Sequence, residues 1–279
     1  MAVRDEAEAR LRTINSKQNA LVKDLRKAFS QAELTSDGYM AIEGVRIIED
    51  AIRSGLRFHA IFFSETGRVH LKRLLPQISS QTETLLLPDE VFSSAVATQT
   101  PQGIAALVKP KNVHFEEILR EPVEDVLILG LAGVQDPGNV GTVIRSAEAF
   151  SARAVLLGEK TVSPFNSKVV RASAGSVFRQ PVIRMALKES IARLREKNVR
   201  IVAASSHEGT PLDEMSLAGP LALLIGNEGA GLPTTITSEA DELVTIPHSP
   251  RVESLNAGIA ASILLYEAAR QRRTAGSAE

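Results

Sequence analysis

The chain has 279 residues, 44% hydrophobic and 23% charged, with a formal net charge of −1. That is enough apolar material for one large or two ordinary cored domains, and it excludes a disordered or fibrous protein. With no cysteine, and with histidines at 59, 70, 114, 207 and 248 that lack metal-ligand spacing, neither a disulfide nor a metal is expected.

The start MAVRDEAEAR is charged and has no signal-peptide core, and no apolar run approaches the ~20 residues that cross a bilayer. A cytoplasmic location without a membrane partner is expected. Residues 1–30 read as an amphipathic helix with Leu21, Leu25 and Ala28 on one face. GYMAIEGVRIIEDAIRSG then predicts a short strand entering a helix that Gly55 stops. A strand FHAIFFS, a helix around VHLKRLLPQI, a strand ETLLL, a short helix PDEVFSSAV and a strand GIAALVK complete an α/β domain over residues 1–110. PKNVHFEEILREPVED, polar and with a proline near each end, predicts a linker over 111–122.

The pattern restarts in a second domain over 123–273. VLILGLAGV is a continuous apolar run, as in a parallel strand buried on both faces, and GNVGTVIRSAEAF is the helix behind it. RAVLLGE, VIR, VRIVAASS, LALLIG and ELVTIP are further strands. Helices are expected at ALKESIARLREK and at SLNAGIAASILLYEAARQR, the latter with Leu255, Ile259, Ile263 and Tyr266 along a face. From Lys160 to Lys188 the basic residues Lys160, Lys168, Arg171, Arg179, Arg184 and Lys188 occur with no acid between them, an anion-facing pattern in a chain of near-zero net charge.

A mostly parallel sheet places ligands beyond the carboxyl ends of its strands. Three strand ends therefore matter: LAGVQDPGNVGTVIR, IGNEGAGLP and IPHSPRVESLNAG, which carry Asn139 and Arg145, Asn227 and Glu228, and Ser254 and Asn256. The glycines at 226, 229 and 231 fit neither the dinucleotide nor the P-loop spacing, and Glu228 would repel a phosphate, so a neutral or cationic ligand or a flat ring is expected. Taken singly, Asn139 or Ser254 could simply cap a helix.

PGNVGTVIRSAEAF, LLIGNEGAGLP and VTIPHSPRVESLNAGIAASILLYEAARQ resemble, in order and separation, the three motifs of the SpoU (TrmH-like) branch of the SPOUT RNA methyltransferases. FNSKVVRASAGSVFRQPV resembles the stretch between the first two, and INSKQNALVKDLR with GYMAIEGVRIIEDAIRSG resembles the family's N-terminal substrate-binding domain. The resemblance covers nearly the whole chain. It implies a small, ribosomal-protein-like α/β RNA-binding domain followed by a SPOUT α/β domain with a C-terminal trefoil knot, an arrangement that periodicity cannot reveal.

It further implies S-adenosylmethionine as cofactor, met by Gly226, Ile246 and Leu255 with neighbours Asn227, Pro247 and Asn256, the glycines letting backbone approach a flat ring. The implied reaction is methyl transfer to a ribose 2′-hydroxyl of RNA, not DNA, ribosomal RNA being favoured over tRNA. Arg145 would orient the hydroxyl, Asn139 and Glu228 would hold Arg145 and the ribose, and Ser254 and Asn256 would shape the methyl-transfer pocket. Lys168, Arg171 and Arg179 would track phosphates, with Lys17, Lys23 and Arg26 adding selectivity from the N-terminal domain. A homodimer through the catalytic domain is implied, with Arg145 completing its site with the partner's help. One departure stands out: HSPRVE, with His248 and Arg251, replaces the Met-Gly common in relatives after the third-motif Ile-Pro. A catalytically silent RNA-binding relative, a nucleotide-binding dehydrogenase and a base methyltransferase are the competing readings.

Overall fold

The structure, a computed structural model, describes residues 10–120, 123 and 126–275. It forms two compact units, one of residues up to 111 together with 165–178, the other of 112–164 and 179 onward.

In the first unit, β1 (Leu11–Thr13) precedes α1 (Ala20–Gln31), whose N-cap Asn19 accepts the Leu21 N–H. Residues 1–9 of the expected opening helix lie outside the described residues, and Leu11–Thr13 pairs in a sheet instead because three extended residues can complete the β4 edge. There follow β2 (Met40–Glu43), α2 (Val45–Arg53), β3 (Arg57–Ser64), α3 (Leu71–Leu74, between two 3₁₀ turns), β4 (Glu83–Leu87), α4 (Asp89–Ser93) and β5 (Ile104–Lys109). The sheet order is β1-β4-β3-β5-β2, with β5 antiparallel to both neighbours. Period-two alternation sorts the core. Ala60, Phe62, Leu85 and Leu107 face α1 through Val22 and Leu25. Ile61, Phe63, Ala106 and Val108 face α2 and α3 through Ile48 and Leu74.

The second half of the chain contributes α5 (Phe115–Ile118), β6 (Leu127–Leu131), α6 (Pro137–Ala149), β7 (Ala154–Leu157) and α7 (Ser167–Ala172). Then come β8 (Val182–Arg184), α8 (Leu187–Arg195), β9 (Arg200–Ser205), β10 (Thr210–Pro211), β11 (Leu221–Ile225), α9 (Thr234–Thr237), β12 (Glu242–Thr245) and α10 (Ala257–Ala275). The second unit's sheet is parallel throughout, ordered β10-β12-β9-β11-β6-β7-β8. Ile128, Leu156, Ile201 and Leu224 pack on α5 and α8, and the alternate residues face the other side, where α6 and α10 lie.

Two stretches differ from the sequence reading. The expected linker is largely packed: Phe115, Ile118 and Leu119 are buried in the second unit's core, because a polar count hid their helical spacing, while Glu121 and Pro122 lie outside the described residues. The segment 165–178 clusters with the first unit, where Val170 and Phe178 join the core beside Met40 and Ile42.

Candidate active site

At the first strand end Asp136 caps α6, its Oδ1 accepting the Asn139 N–H at 2.8 Å, with Pro137 at the first helical position. Asn139 is thus not the cap, and its side chain is free for other bonds. Its Nδ2 donates to Glu228 Oε1, and its Oδ1 accepts Asn256 Nδ2 at 2.8 Å. Asn256 Oδ1 in turn accepts the Ile259 N–H at 3.2 Å, so Asn256, rather than Ser254, serves the start of α10. Glu228, Asn139 and Asn256, one from each strand end, form a single hydrogen-bonded chain.

The glycine loop after β11 is built against itself. Asn227 Oδ1 accepts the N–H groups of Gly229 and Ala230 at 2.9 and 3.1 Å, and Asn227 Nδ2 donates to Gly133 O at 2.9 Å. A Cβ on Gly226 would stand 2.1 Å from the Gly231 carbonyl carbon and 2.3 Å from the Leu232 nitrogen. Gly226 is therefore required by the loop's own return, a reason that motif spacing did not contain. Gly231 has φ +65°, where a side chain is strained.

Beside this loop, at the carboxyl ends of β9, β11 and β12, lies a cavity of about 630 Å³, of the size that holds a drug-sized molecule. Ile225, Leu243, Ile246 and Leu255 supply apolar walls and residues 226–231 supply backbone, while Glu208, Glu228 and Glu253 bring carboxylates. No lysine or arginine lines it among the described residues. Such a lining suits a flat apolar ring with a positive charge and opposes a phosphate. Gly226, Asn227, Ile246, Leu255, Glu228 and Ser254 are on the wall, whereas Pro247, Asn256, Asn139 and Arg145 are not. Sequence reading missed Ser205–Glu208; a polar SSHEG run directly after the strand VRIVAA was the available signal. His248 also lines the cavity, its Nδ1 held 2.7 Å from Ile246 O. Ring placement by that bond fits the Nδ1-protonated form.

Arg145 stands apart. Six positions beyond Asn139, it is turned about 240° around the helix. It is exposed and makes no hydrogen bond or ion pair among the described residues. It follows by three positions Thr142, whose side chain is 3.3 Å from a Cβ built on Gly258 of α10. Its neighbour Ser146 meets Ser262 of α10 at 2.7 Å. Arg145 thus lies along the seam of α6 and α10. On α10 the buried residues include Ala257, Ala261, Leu264, Leu265, Ala268 and Ala269. Ile259 and Tyr266 are 53% and 49% exposed, so the face read from sequence is not the one that the unit's core covers.

The basic residues divide. Lys168 and Arg171 are exposed on α7, three positions apart and without ion pairs among the described residues. Arg179 is instead bound through two nitrogens to Glu148, at 2.5 and 2.8 Å. Lys17 pairs with Glu90, and Arg26 donates to Ser94 O at 3.0 Å; Lys23 is exposed.

The profile of the SpoU rRNA methylase family matches residues 126–266, and that of the MRM3-like substrate binding domain matches 19–106. The chain belongs to the SpoU rRNA methylase family. It is 33% identical over 257 residues to the 23S rRNA (guanosine(2553)-2′-O)-methyltransferase RlmP of Bacillus subtilis (strain 168), covering 92% of this chain and 98% of that one. The AdoMet-bound rRNA methyltransferase from Sinorhizobium meliloti superposes with a TM-score of 0.80 at 29% identity, covering 94% of this chain and 98% of its own. AviRb from Streptomyces viridochromogenes in complex with AdoMet gives 0.78 at 27%, covering 92% and 99%. These likenesses extend over both units of this SpoU chain, with the cavity and the Glu228–Asn139–Asn256 chain inside the region matched by the family profile.

Proposed function

We propose that the protein transfers a methyl group from S-adenosylmethionine to a ribose 2′-hydroxyl of ribosomal RNA in the cytoplasm. The single observation that carries this reading is the cavity at the ends of β9, β11 and β12, walled by apolar side chains and glycine-loop backbone and holding carboxylates without lysine or arginine among the described residues. S-adenosylmethionine supplies an electrophilic methyl group on a positively charged sulfur. Ile246, Leu255 and the backbone from Gly226 hold the adenosine, and Glu228 lies where it favours that charge. The remaining task is to bring a weak nucleophile, the neutral hydroxyl, into line and to accept its proton.

Arg145 does the first. Its guanidinium stays protonated, so it orients the hydroxyl and an adjacent RNA phosphate as a donor, and the proton passes to that phosphate or to water. Asn139 fixes the Glu228 carboxylate, Asn256 holds Asn139 in turn, and Ser254 contributes to the cavity wall. Because Arg145 lies on the α6–α10 seam away from its own Asn139, we assign it to the cavity of a second copy, in a homodimer formed through the exposed Ile259 and Tyr266 side of α10. The parallel sheet and the return of α10 to α6 are compatible with the threaded knot implied by the resemblance. Lys168, Arg171 and Lys23 offer free charge to RNA phosphates; Arg179, Lys17 and Arg26 would first have to exchange their present partners.

Ile259→Glu should halve the sedimenting mass in solution and lower methyl transfer with it, since a buried unpaired carboxylate opposes the dimer. An Ile259→Glu protein with unchanged mass and activity would remove this face from the interface. The deciding experiment incubates labelled S-adenosylmethionine with unmodified ribosomal RNA and tRNA in parallel, then digests to nucleosides. Label in a 2′-O-methyl nucleoside from ribosomal RNA is expected. Label in a methylated base, in tRNA alone, or in neither RNA despite cofactor binding contradicts, respectively, the reaction, the substrate and the enzyme reading.

A further inference from the structure

The first unit encloses a carboxyl group that its own packing leaves half answered. Glu43 ends β2 and is 7% exposed; its Oε1 accepts the Thr98 hydroxyl, but its Oε2 is buried with no hydrogen-bond partner among the described residues. A buried carboxylate oxygen without a donor opposes folding, so its presence calls for a donor from outside. The surroundings supply the complementary half of a recognition site. Gly44, at φ +100°, turns the chain directly into α2, and no side chain of the N-cap occupies the helix start. Gln102 Oε1 takes the Val45 N–H at 3.1 Å, which leaves the exposed Gln102 amide Nε2 as a donor without a partner. Arg46, in the first turn of α2, likewise makes no ion pair among the described residues.

One enclosed acceptor, with Gln102 meeting the next turn of chain and Arg46 three residues on, matches a particular nucleobase edge. Guanine presents two adjacent donors, N1–H and N2–H, followed by the acceptor O6; adenine and uracil each present one donor on that edge. Proteins that read RNA sequence do so on unstacked bases such as these. α7 packs against β2 in this same unit and presents Lys168 and Arg171, unpaired among the described residues, to the flanking phosphates. Thr98, half-buried in the loop before β5, is the group an incoming base edge displaces.

We propose that Glu43 reads an unpaired guanine in the RNA substrate, its carboxylate accepting from N1–H and N2–H while Arg46 and Gln102 donate to O6. This rests on the first unit being the substrate-binding part of the enzyme, and it concerns a recognition nucleotide outside the methyl-transfer cavity.

The test uses the full chain and 5′-fluorescent nonauridine RNAs carrying one central guanine, inosine or adenine, with affinities read by anisotropy at low salt. Wild type should prefer guanine over adenine by about tenfold or more, as a paired base-edge contact typically does. Inosine, which lacks N2, should fall between them. Glu43→Gln should abolish the preference, whereas Lys168→Ala with Arg171→Ala should weaken all three RNAs alike and flatten the salt dependence. A purely structural Glu43 would shift the melting temperature but leave the guanine-to-adenine ratio unchanged. Thr98→Val guards against a variant that fails to fold: it keeps the side chain's shape but removes the hydroxyl that competes for the carboxylate, and it should keep or sharpen the preference. Equal binding of guanine and adenine RNAs by wild type, no measurable binding of any, a preference retained in Glu43→Gln, or one lost in Thr98→Val overturns the proposal. Methyl transfer to ribosomal RNA, measured on the same preparations, reports separately on the enzyme reading, so either can fail alone.

Discussion

Arg145→Lys should lower single-turnover methyl transfer to ribosomal RNA by about a hundredfold or more, the usual effect of losing one pre-aimed donor in a reaction site, while cofactor affinity stays within about twofold. Lysine keeps the charge but replaces a planar fork with a single rotating ammonium, so the substitution separates geometry from charge. Since Arg145 is exposed and unpaired among the described residues, its replacement should leave the melting temperature unchanged. The dimer reading adds a sharper outcome. Arg145→Ala mixed with a subunit unable to bind cofactor should regain activity, because the mixed dimer contains one cavity with an intact arginine from across the interface. Full activity of Arg145→Lys would exclude bidentate orientation, and no recovery in the mixture would place the arginine in its own subunit's cavity.

Gly226→Ala should eliminate measurable S-adenosylmethionine binding by calorimetry and destabilise the protein by about 2–3 kcal/mol, the upper range for overpacking. The added carbon would stand 2.1 Å from Gly231 backbone and 2.4 Å from its carbonyl oxygen, neither of which can rotate away as a side chain would. The 227–231 return must then open, and with it the wall that carries Glu228. Gly229→Ala is the control: its new carbon meets only Asn227 Oδ1, at 3.6 Å, with no positive φ to strain it. Binding should survive there. Normal cofactor affinity in Gly226→Ala would mean that the loop does not need its self-contact to form the wall. The Gly226→Ala subunit is also the natural partner for the mixing experiment with Arg145→Ala.

Short apolar runs made the strands of both sheets legible in the sequence. AIFF and ETLLL point alternate residues to opposite faces, and VLILGL and LALLIG are apolar throughout because both faces are covered. The three polar strand ends were legible too, since a parallel sheet has only one end at which its loops can hold a ligand. Short elements were harder. Leu11–Thr13, Phe115–Ile118 and Ser167–Ala172 exist because a sheet edge or a core receives them, and three to six residues carry too little periodicity to announce it. The last helix shows the limit most clearly. Its apolar residues wrap far enough round that Ile259 and Tyr266 could be read as core, yet alanines and leucines fill the inner face and leave those two outside.

By itself the sequence determined the two-part α/β organisation, the motif triad and the residue types at the three strand ends, because these depend on local pattern and on order along the chain. Only the tertiary structure decided which of those residues act together. Asn139, Glu228 and Asn256 meet because three loops converge at the carboxyl ends of the sheet's strands, and Arg145 turns away because six helical positions carry it round the axis. Gly226 and Glu43 belong to the same class: the first must be glycine because of a backbone 5 residues later, and the second meets its one donor, Thr98, 55 residues later while its other oxygen has none among the described residues. Contacts between residues remote in sequence are set by packing and chain return, which a local pattern does not encode.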